Sequence, residues 1–198
     1  MEHPMFKIAL LSLACCFSIS AYANDYAVNQ LDQGKVAAGN KPVVLLGNGV
    51  KKGDKAPNFK VVDDNFMPIE LTQFKNKAVL ISVVPSLDTG ICSLQTKHFN
   101  EKVAVEFPEI EMLTISADLP FAQKRFCKSE NIDKLTTLSD SVWHDFGRQY
   151  GLIIQDMGLL SRAVFILNKN HTIVYKQLVP VLSKEPDYQP VVEMLKTL

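Results

Sequence analysis

The sequence predicts an α/β fold in which one central, partly parallel β-sheet is covered by helices. Three observations predict it. Residues 78–84 form an almost unbroken apolar run that stops at Pro85, the character of a strand buried on both faces in the middle of a sheet. Strand-like and helix-like segments alternate after that run. A chain of 198 residues that is 47% hydrophobic and 21% charged suits a single compact domain, and no internal repeat or low-complexity linker divides it.

The elements follow in order. Lys7 precedes an apolar run over residues 8–19 and then Ala21-Tyr22-Ala23, a small-x-small cleavage pattern, so residues 1–23 read as a secretory signal peptide cut after Ala23. The run is shorter than the roughly 20 apolar residues that span a bilayer, which argues against stable membrane insertion. Cys15 and Cys16 lie inside it in a poor setting for acylation. The mature protein is therefore expected outside the cytoplasm, in the periplasm of a two-membrane host, with Cys92 and Cys127 as its cysteines. Residues 24–41 are polar, contain Gly34 and Gly39 and show no sustained period, which predicts a loosely held N-terminal arm ahead of a domain over residues 42–198. Residues 43–46 followed by Gly47-Asn48-Gly49 predict the first strand and turn of an N-terminal β-hairpin, because Asn-Gly readily takes the positive φ of a type I′ turn. Residues 59–62 and 66–71 around Asp63-Asp64-Asn65 predict a second hairpin.

Beyond Pro85, the residues Cys92, Phe99, Val103 and Phe107 fall at i, i+7, i+11 and i+15, along one helix face with Cys92 in the first turn on the inward side. Residues 110–116 read as a strand, and Asp118 with Pro120 starts a helix carrying Ala122, Phe126 and Cys127. Residues 135–138 predict a short strand. Ser139 and Asp140 then open a helix with Val142, Phe146 and Tyr150 on one face, closed by Gly151. Residues 163–167 and 172–178 are strands around Asn168-Lys169-Asn170-His171, and the last helix starts near Asp187 and buries Val191, Met194, Leu195 and Leu198. A thioredoxin-like α/β sandwich fits this order of elements.

Charge narrows the function classes. Lys+Arg 21 against Asp+Glu 21 gives a formal net charge of +0, with no basic excess to draw a polyanion, which argues against nucleic acid as a partner. His98, His144 and His171 lack the spacing of a metal site.

The chemistry concentrates in Pro85-Ser86-Leu87-Asp88-Thr89-Gly90-Ile91-Cys92. A cysteine at a helix N-terminus faces unpaired backbone N–H groups and the positive end of the helix dipole, which favours the nucleophilic thiolate. Thr89 brings a hydroxyl within reach of the sulfur. Blander readings exist: a cysteine leading an apolar helix face is often a small buried hydrophobe, and an isolated pair in an oxidising compartment is often a structural disulfide. Thr89 stands where a C-x-x-C motif carries its first cysteine, which disfavours a disulfide oxidoreductase.

The Pro85-x-x-x-Thr89-x-x-Cys92 pattern resembles the peroxidatic motif of the peroxiredoxins. Ser116-Ala117-Asp118-Leu119-Pro120-Phe121-Ala122-Gln123-Lys124-Arg125-Phe126-Cys127 is similar to the resolving-cysteine segment of their thiol peroxidase group. Supporting similarity runs from residues 49–57 through Arg162-Ala163-Val164 to Glu185-Pro186-Asp187-Tyr188 and covers nearly all of the mature chain. The resemblance implies a thioredoxin-fold homodimer that reduces hydroperoxides without a metal or organic cofactor. It implies that Cys92 is peroxidatic, that Cys127 resolves it through a Cys92–Cys127 disulfide, and that Thr89 and Arg162 activate the sulfur and the peroxide. Thioredoxin or a similar exported dithiol protein would recycle the disulfide.

Read from the residues alone, Arg162 is a charge at the start of an apolar strand, expected to form an ion pair or guard a strand edge. Asp88, Lys97, His98 and Arg125 read as solvated helix or loop residues. A thioredoxin-fold binding protein with a purely structural disulfide is the rival reading.

Overall fold

The computed structural model describes residues 26–198, so the leader expected over residues 1–23 lies outside the described residues. The chain opens with a small hairpin, β1 (Ala37–Ala38) and β2 (Lys41–Pro42), followed by β3 (Leu45–Leu46). Strands β4 (Lys60–Val62) and β5 (Pro68–Glu70) form the expected second hairpin, and β6 (Val79–Val83) is the expected buried strand. Helix α1 (Gly90–His98) runs through a π turn at Phe99–Val103 into α2 (Ala104–Glu106). Then come β7 (Glu111–Ser116), α3 (Pro120–Glu130), β8 (Thr136–Ser139), α4 (Asp145–Tyr150), β9 (Ile153–Ile154), β10 (Ala163–Leu167), β11 (Ile173–Leu178) and α5 (Tyr188–Leu195).

Seven strands make one mixed sheet in the order β11-β10-β6-β7-β8-β4-β5. The β6–β7 and β7–β8 pairs are parallel, and β10 runs antiparallel to β6. All five residues of β6 are buried because helices cover both faces of the sheet, which is why its sequence does not alternate. Val79, Ile81 and Val83 point into a core with Phe59, Phe146, Tyr150 and Phe165, whose rings pack edge-on or stacked at 4.4–5.3 Å for the Phe59–Phe146, Phe146–Tyr150 and Tyr150–Phe165 pairs. Leu80 lies on the other face with Val164, Ile166 and the inward residues of the π turn, α2 and α5. This is the thioredoxin-like sandwich that the element order predicts.

Four details differ from the sequence reading. Gly47-Asn48-Gly49 is not a hairpin turn. Strand β3 pairs instead with β9, and the Asn48 N–H donates to the Arg148 carbonyl at 2.7 Å. A Cβ on Gly47, whose φ is +114°, would collide with that carbonyl, so glycine serves a close backbone approach. The N-terminal hairpin exists, but it is β1–β2, inside the segment expected to be a loose arm.

The arm is not loose either. Asn29, Asp32 and Val36 are 1–2% exposed. The Asn29 amide donates to the Gly151 carbonyl at 2.9 Å, and Lys176 on β11 donates to Asp32 at 2.6 Å. Polar residues lack an apolar period, yet they bury well when each finds a partner.

Helix α4 starts later than Ser139-Asp140 suggested, after a turn in which His144 takes a left-handed φ of 50° and Val142 stays exposed. Asp140 caps it from a distance, its carboxylate accepting the N–H groups of Phe146 and Gly147 at 2.9 and 2.8 Å. Burial pushes the Asp140 carboxyl up to about 7, against the pull of those bonds. Asp187 caps α5 through the Gln189 N–H, and Val191 and Leu195 are buried as expected. Met194 is half-buried and Leu198 lies exposed beyond the helix end. No helix among the described residues is long and apolar enough to cross a membrane.

Candidate active site

The loop after β6 delivers Cys92 to the third position of α1. Its shape is held from outside: the Leu87 N–H donates to the Asp118 carboxylate at 2.7 Å, across from the end of β7. Thr89 is the N-cap of α1 with extended φ and ψ of −102° and 143°, but its hydroxyl does not cap the helix. It donates to the Cys92 sulfur at 2.9 Å instead. A threonine here thus serves the sulfur at the expense of the usual cap bond.

Arg162 immediately precedes β10, the antiparallel neighbour of β6, and this pairing brings it beside α1. Its Nη2 donates to the Cys92 sulfur at 3.2 Å. Nη1 donates to the Gln95 Oε1 at 2.6 Å, while Nε and Nη2 reach the Leu182 carbonyl at 3.2 and 2.9 Å. Arg162 is 1% exposed and Cys92 fully buried. Among the described residues no carboxylate lies within ion-pair distance of this guanidinium. The expected ion pair or edge guard is therefore replaced by a buried cation aimed at sulfur and at neutral oxygens.

Two supporting residues escaped the sequence reading. Gln95 is buried on the same helix face as Cys92, and its amide donates to the Ser82 hydroxyl on β6 at 2.8 Å, which orients its oxygen toward Arg162. The three-residue spacing from Cys92 was a usable signal, since residues at i and i+3 share a face. The Leu182 carbonyl carried no signal, because any residue owns one.

Pro85, Thr89 and Arg162 line one open cavity of about 710 Å³, with Ile91, Leu94 and Leu159 among its apolar walls. Cys127 belongs elsewhere. On α3 it packs against the small cluster of Val84, Leu87, Cys92, Phe126 and Ile132, but its sulfur lies 3.3 Å from the Thr137 hydroxyl and borders a separate cavity with Asp64 and Lys124. Burial pushes the Cys127 thiol up, while the Thr137 hydroxyl pulls the other way. Both cysteines are free thiols.

The neighbouring charges fall into place around this frame. Asp88 and Arg125 form an exposed, loose pair at 3.8 Å, and Lys97 ties α1 to Glu130 of α3 at 2.8 Å. His98 is not simply solvated: it is half-buried and stacks on Tyr188 at 3.7 Å.

A buried thiol with a hydroxyl and a guanidinium on its sulfur, next to an open cavity, is fitted to nucleophilic chemistry on a small polar substrate. The comparisons with known proteins agree. The redoxin family profile matches residues 51–192. The thiol peroxidase of Staphylococcus epidermidis is 46% identical over 159 residues, 80% of this chain and 96% of that protein. The thiol peroxidase of Halalkalibacterium halodurans is 47% identical over 155 residues, 78% of this chain and 93% of that one. A peroxiredoxin-like protein from Aquifex aeolicus superposes with a TM-score of 0.77 at 40% identity, covering 83% of this chain and 96% of its own. Family profile, relatives and fold converge with the Thr89–Cys92–Arg162 geometry, and the chain belongs to the redoxin family as a peroxiredoxin-type thiol peroxidase.

Proposed function

We propose that the protein reduces hydrogen peroxide and organic hydroperoxides through the Cys92 thiolate, as an exported antioxidant enzyme. One observation carries this reading: the guanidinium of Arg162 is buried, has no carboxylate partner among the described residues, and points at the Cys92 sulfur. A guanidinium buried among neutral acceptors is placed to stabilise negative charge that develops on the reacting atoms. The same guanidinium and the Thr89 hydroxyl are poised to bind the two oxygens of a peroxide as one accepts charge.

The thiolate attacks the terminal peroxide oxygen, the O–O bond breaks, and a proton goes to the departing oxygen, leaving water or an alcohol and a Cys92 sulfenic acid. The Cys127 thiol then displaces hydroxide from that sulfenic acid, releasing water and forming the Cys92–Cys127 disulfide. A dithiol protein, thioredoxin or an exported one like it, returns both thiols by exchange. Cys127 starts beside Thr137 and borders a cavity apart from that of Thr89 and Arg162, so loosening of α3 is the proposed route to the Cα separation of about 7 Å that a disulfide needs. Apolar walls around the cavity support organic hydroperoxides among the substrates. Exposed Leu94 and Met157 on its walls, with exposed Val44 nearby, support a homodimer that covers them. The leader pattern over residues 1–23 supports export, to the periplasm of a two-membrane host.

The test separates the cysteines. Cys92→Ser should abolish peroxide consumption, since serine's hydroxyl is too weakly acidic to replace the thiolate. Cys127→Ser should allow one turnover, trap the sulfenic acid and block recycling by the dithiol reductant. A structural disulfide forecasts equal peroxide kinetics in both variants and equal destabilisation, about 2–4 kcal/mol. Single-turnover peroxide consumption with parallel melts decides between them.

A further inference from the structure

We propose that the N-terminal arm is a positioning element of the peroxide site: held by the Asp32–Lys176 pair, it fixes the Leu182 carbonyl that aims Arg162 at Cys92. The inference rests on the proposed reaction of Cys92 and extends it to residues outside the matched family region, which begins at residue 51.

The chain of contacts is continuous. Arg162 has two of its nitrogens on the Leu182 carbonyl, at 3.2 and 2.9 Å, so the place of that oxygen sets the pitch of the guanidinium over the sulfur. Leu182 lies in the irregular segment after β11, three residues beyond Val179, whose N–H donates to the Arg162 carbonyl at 3.0 Å. The Leu182 N–H donates to the Ala37 carbonyl at 3.0 Å, and the Ala37 N–H donates to the Pro180 carbonyl at 2.8 Å. β1 therefore grips this segment on both sides of Val181, as a short parallel bridge.

The arm in turn is locked to the domain. The Asp32 carboxylate is 3% exposed and accepts from Lys176 at 2.6 Å, and that ammonium also donates to the Val50 carbonyl at 2.7 Å. Asn29 adds its amide, which donates to Asp32 at 3.1 Å and to the Gly151 carbonyl at 2.9 Å. Breaking a buried pair by removing one charge releases the segment that it holds. The arm also supplies Ala38 and Gly39 to the wall of the peroxide cavity, so its register affects both the cation and the space before it.

Asp32 and Ala37 are thus positioning residues that act through Arg162. Asp32→Asn removes the charge of the lock at constant shape, and Ala37→Pro deletes the N–H that holds Pro180. Each is combined with Arg162→Ala in a double-mutant cycle, read as the single-turnover rate of the reduced protein with hydrogen peroxide, with thermal melts to establish folding. Either arm variant alone should slow the reaction by about tenfold, in keeping with the cost of small misplacements. In the Arg162→Ala background the same change should alter the rate by less than about twofold, because the group through which it acts is gone. An unchanged rate in both folded arm variants, or the same slowing with and without Arg162, overturns the proposal. If the parent protein itself leaves peroxide intact, the reaction proposed for Cys92 fails first, so the two failures are distinct. Ala37→Pro keeps the test open should Asp32→Asn not fold.

Discussion

The carboxylate of Asp118 accepts the backbone N–H of Leu87 at 2.7 Å and thereby ties the loop that carries Thr89 to the segment that opens helix α3. The Ser116 hydroxyl donates to the same oxygen at 2.7 Å. One side chain thus bridges the two pieces of backbone that bear Cys92 and Cys127. If the proposed Cys92–Cys127 disulfide forms by loosening of these pieces, the bond would oppose it.

Asp118→Ala should therefore cost about 1–3 kcal/mol of stability, the penalty for a partly buried N–H left without its acceptor. The same variant should form the disulfide faster after peroxide is added and over-oxidise less at high peroxide. Stopped-flow fluorescence with mass spectrometry of the products measures both. Disulfide formation at the parental rate would show that this bond does not limit the rearrangement.

Arg162→Ala should lower the single-turnover rate with peroxide by about 100- to 1000-fold, the usual cost of deleting a preorganised donor to developing charge. Thr89→Val removes a neutral donor and should cost less, about tenfold, because the full positive charge of Arg162 stays beside the reacting atoms. Thr89→Ser should retain most of the rate. A Thr89→Val protein as slow as Arg162→Ala would reverse this ranking of the two donors.

Asp140 provides a prediction for stability against pH. Its carboxyl is raised in the folded state to about 7 by burial, above the ordinary value of about 3.9 in the unfolded chain. The folded protein holds this proton more tightly, so its stabilising contribution is full below about pH 4 and is lost as pH rises toward about 7. The stability difference between the parent and Asp140→Asn should decline over that window by at most about 1.4 kcal/mol per pH unit. Denaturant titrations of both proteins at several pH values measure it. A difference that is flat or grows with pH would mean that the two backbone N–H bonds outweigh burial and keep the carboxylate charged.

Much of the fold was legible because local pattern reports burial. The run over residues 78–84 announced a strand covered on both faces, and the Cys92, Phe99, Val103, Phe107 spacing placed Cys92 on the inward face of a helix. The misreadings fell where tertiary partners replace local ones. Asp140 caps a helix that begins five residues further on, and Gly47-Asn48-Gly49 meets Arg148 rather than turning a hairpin.

By itself the sequence determined the α/β order, the buried central strand, the helix-leading Cys92 with Thr89 beside it, and the family through the motif around them. These are relationships within a few turns of chain, where spacing alone decides which side chains share a face. Only the tertiary structure decided that Arg162 is buried against the Cys92 sulfur, that Gln95 and Leu182 hold it there, and that a polar arm closes the chain of support through Asp32 and Lys176. The partners of a buried polar group come from distant segments brought together by packing, and a periodicity that records only inside and outside does not name them.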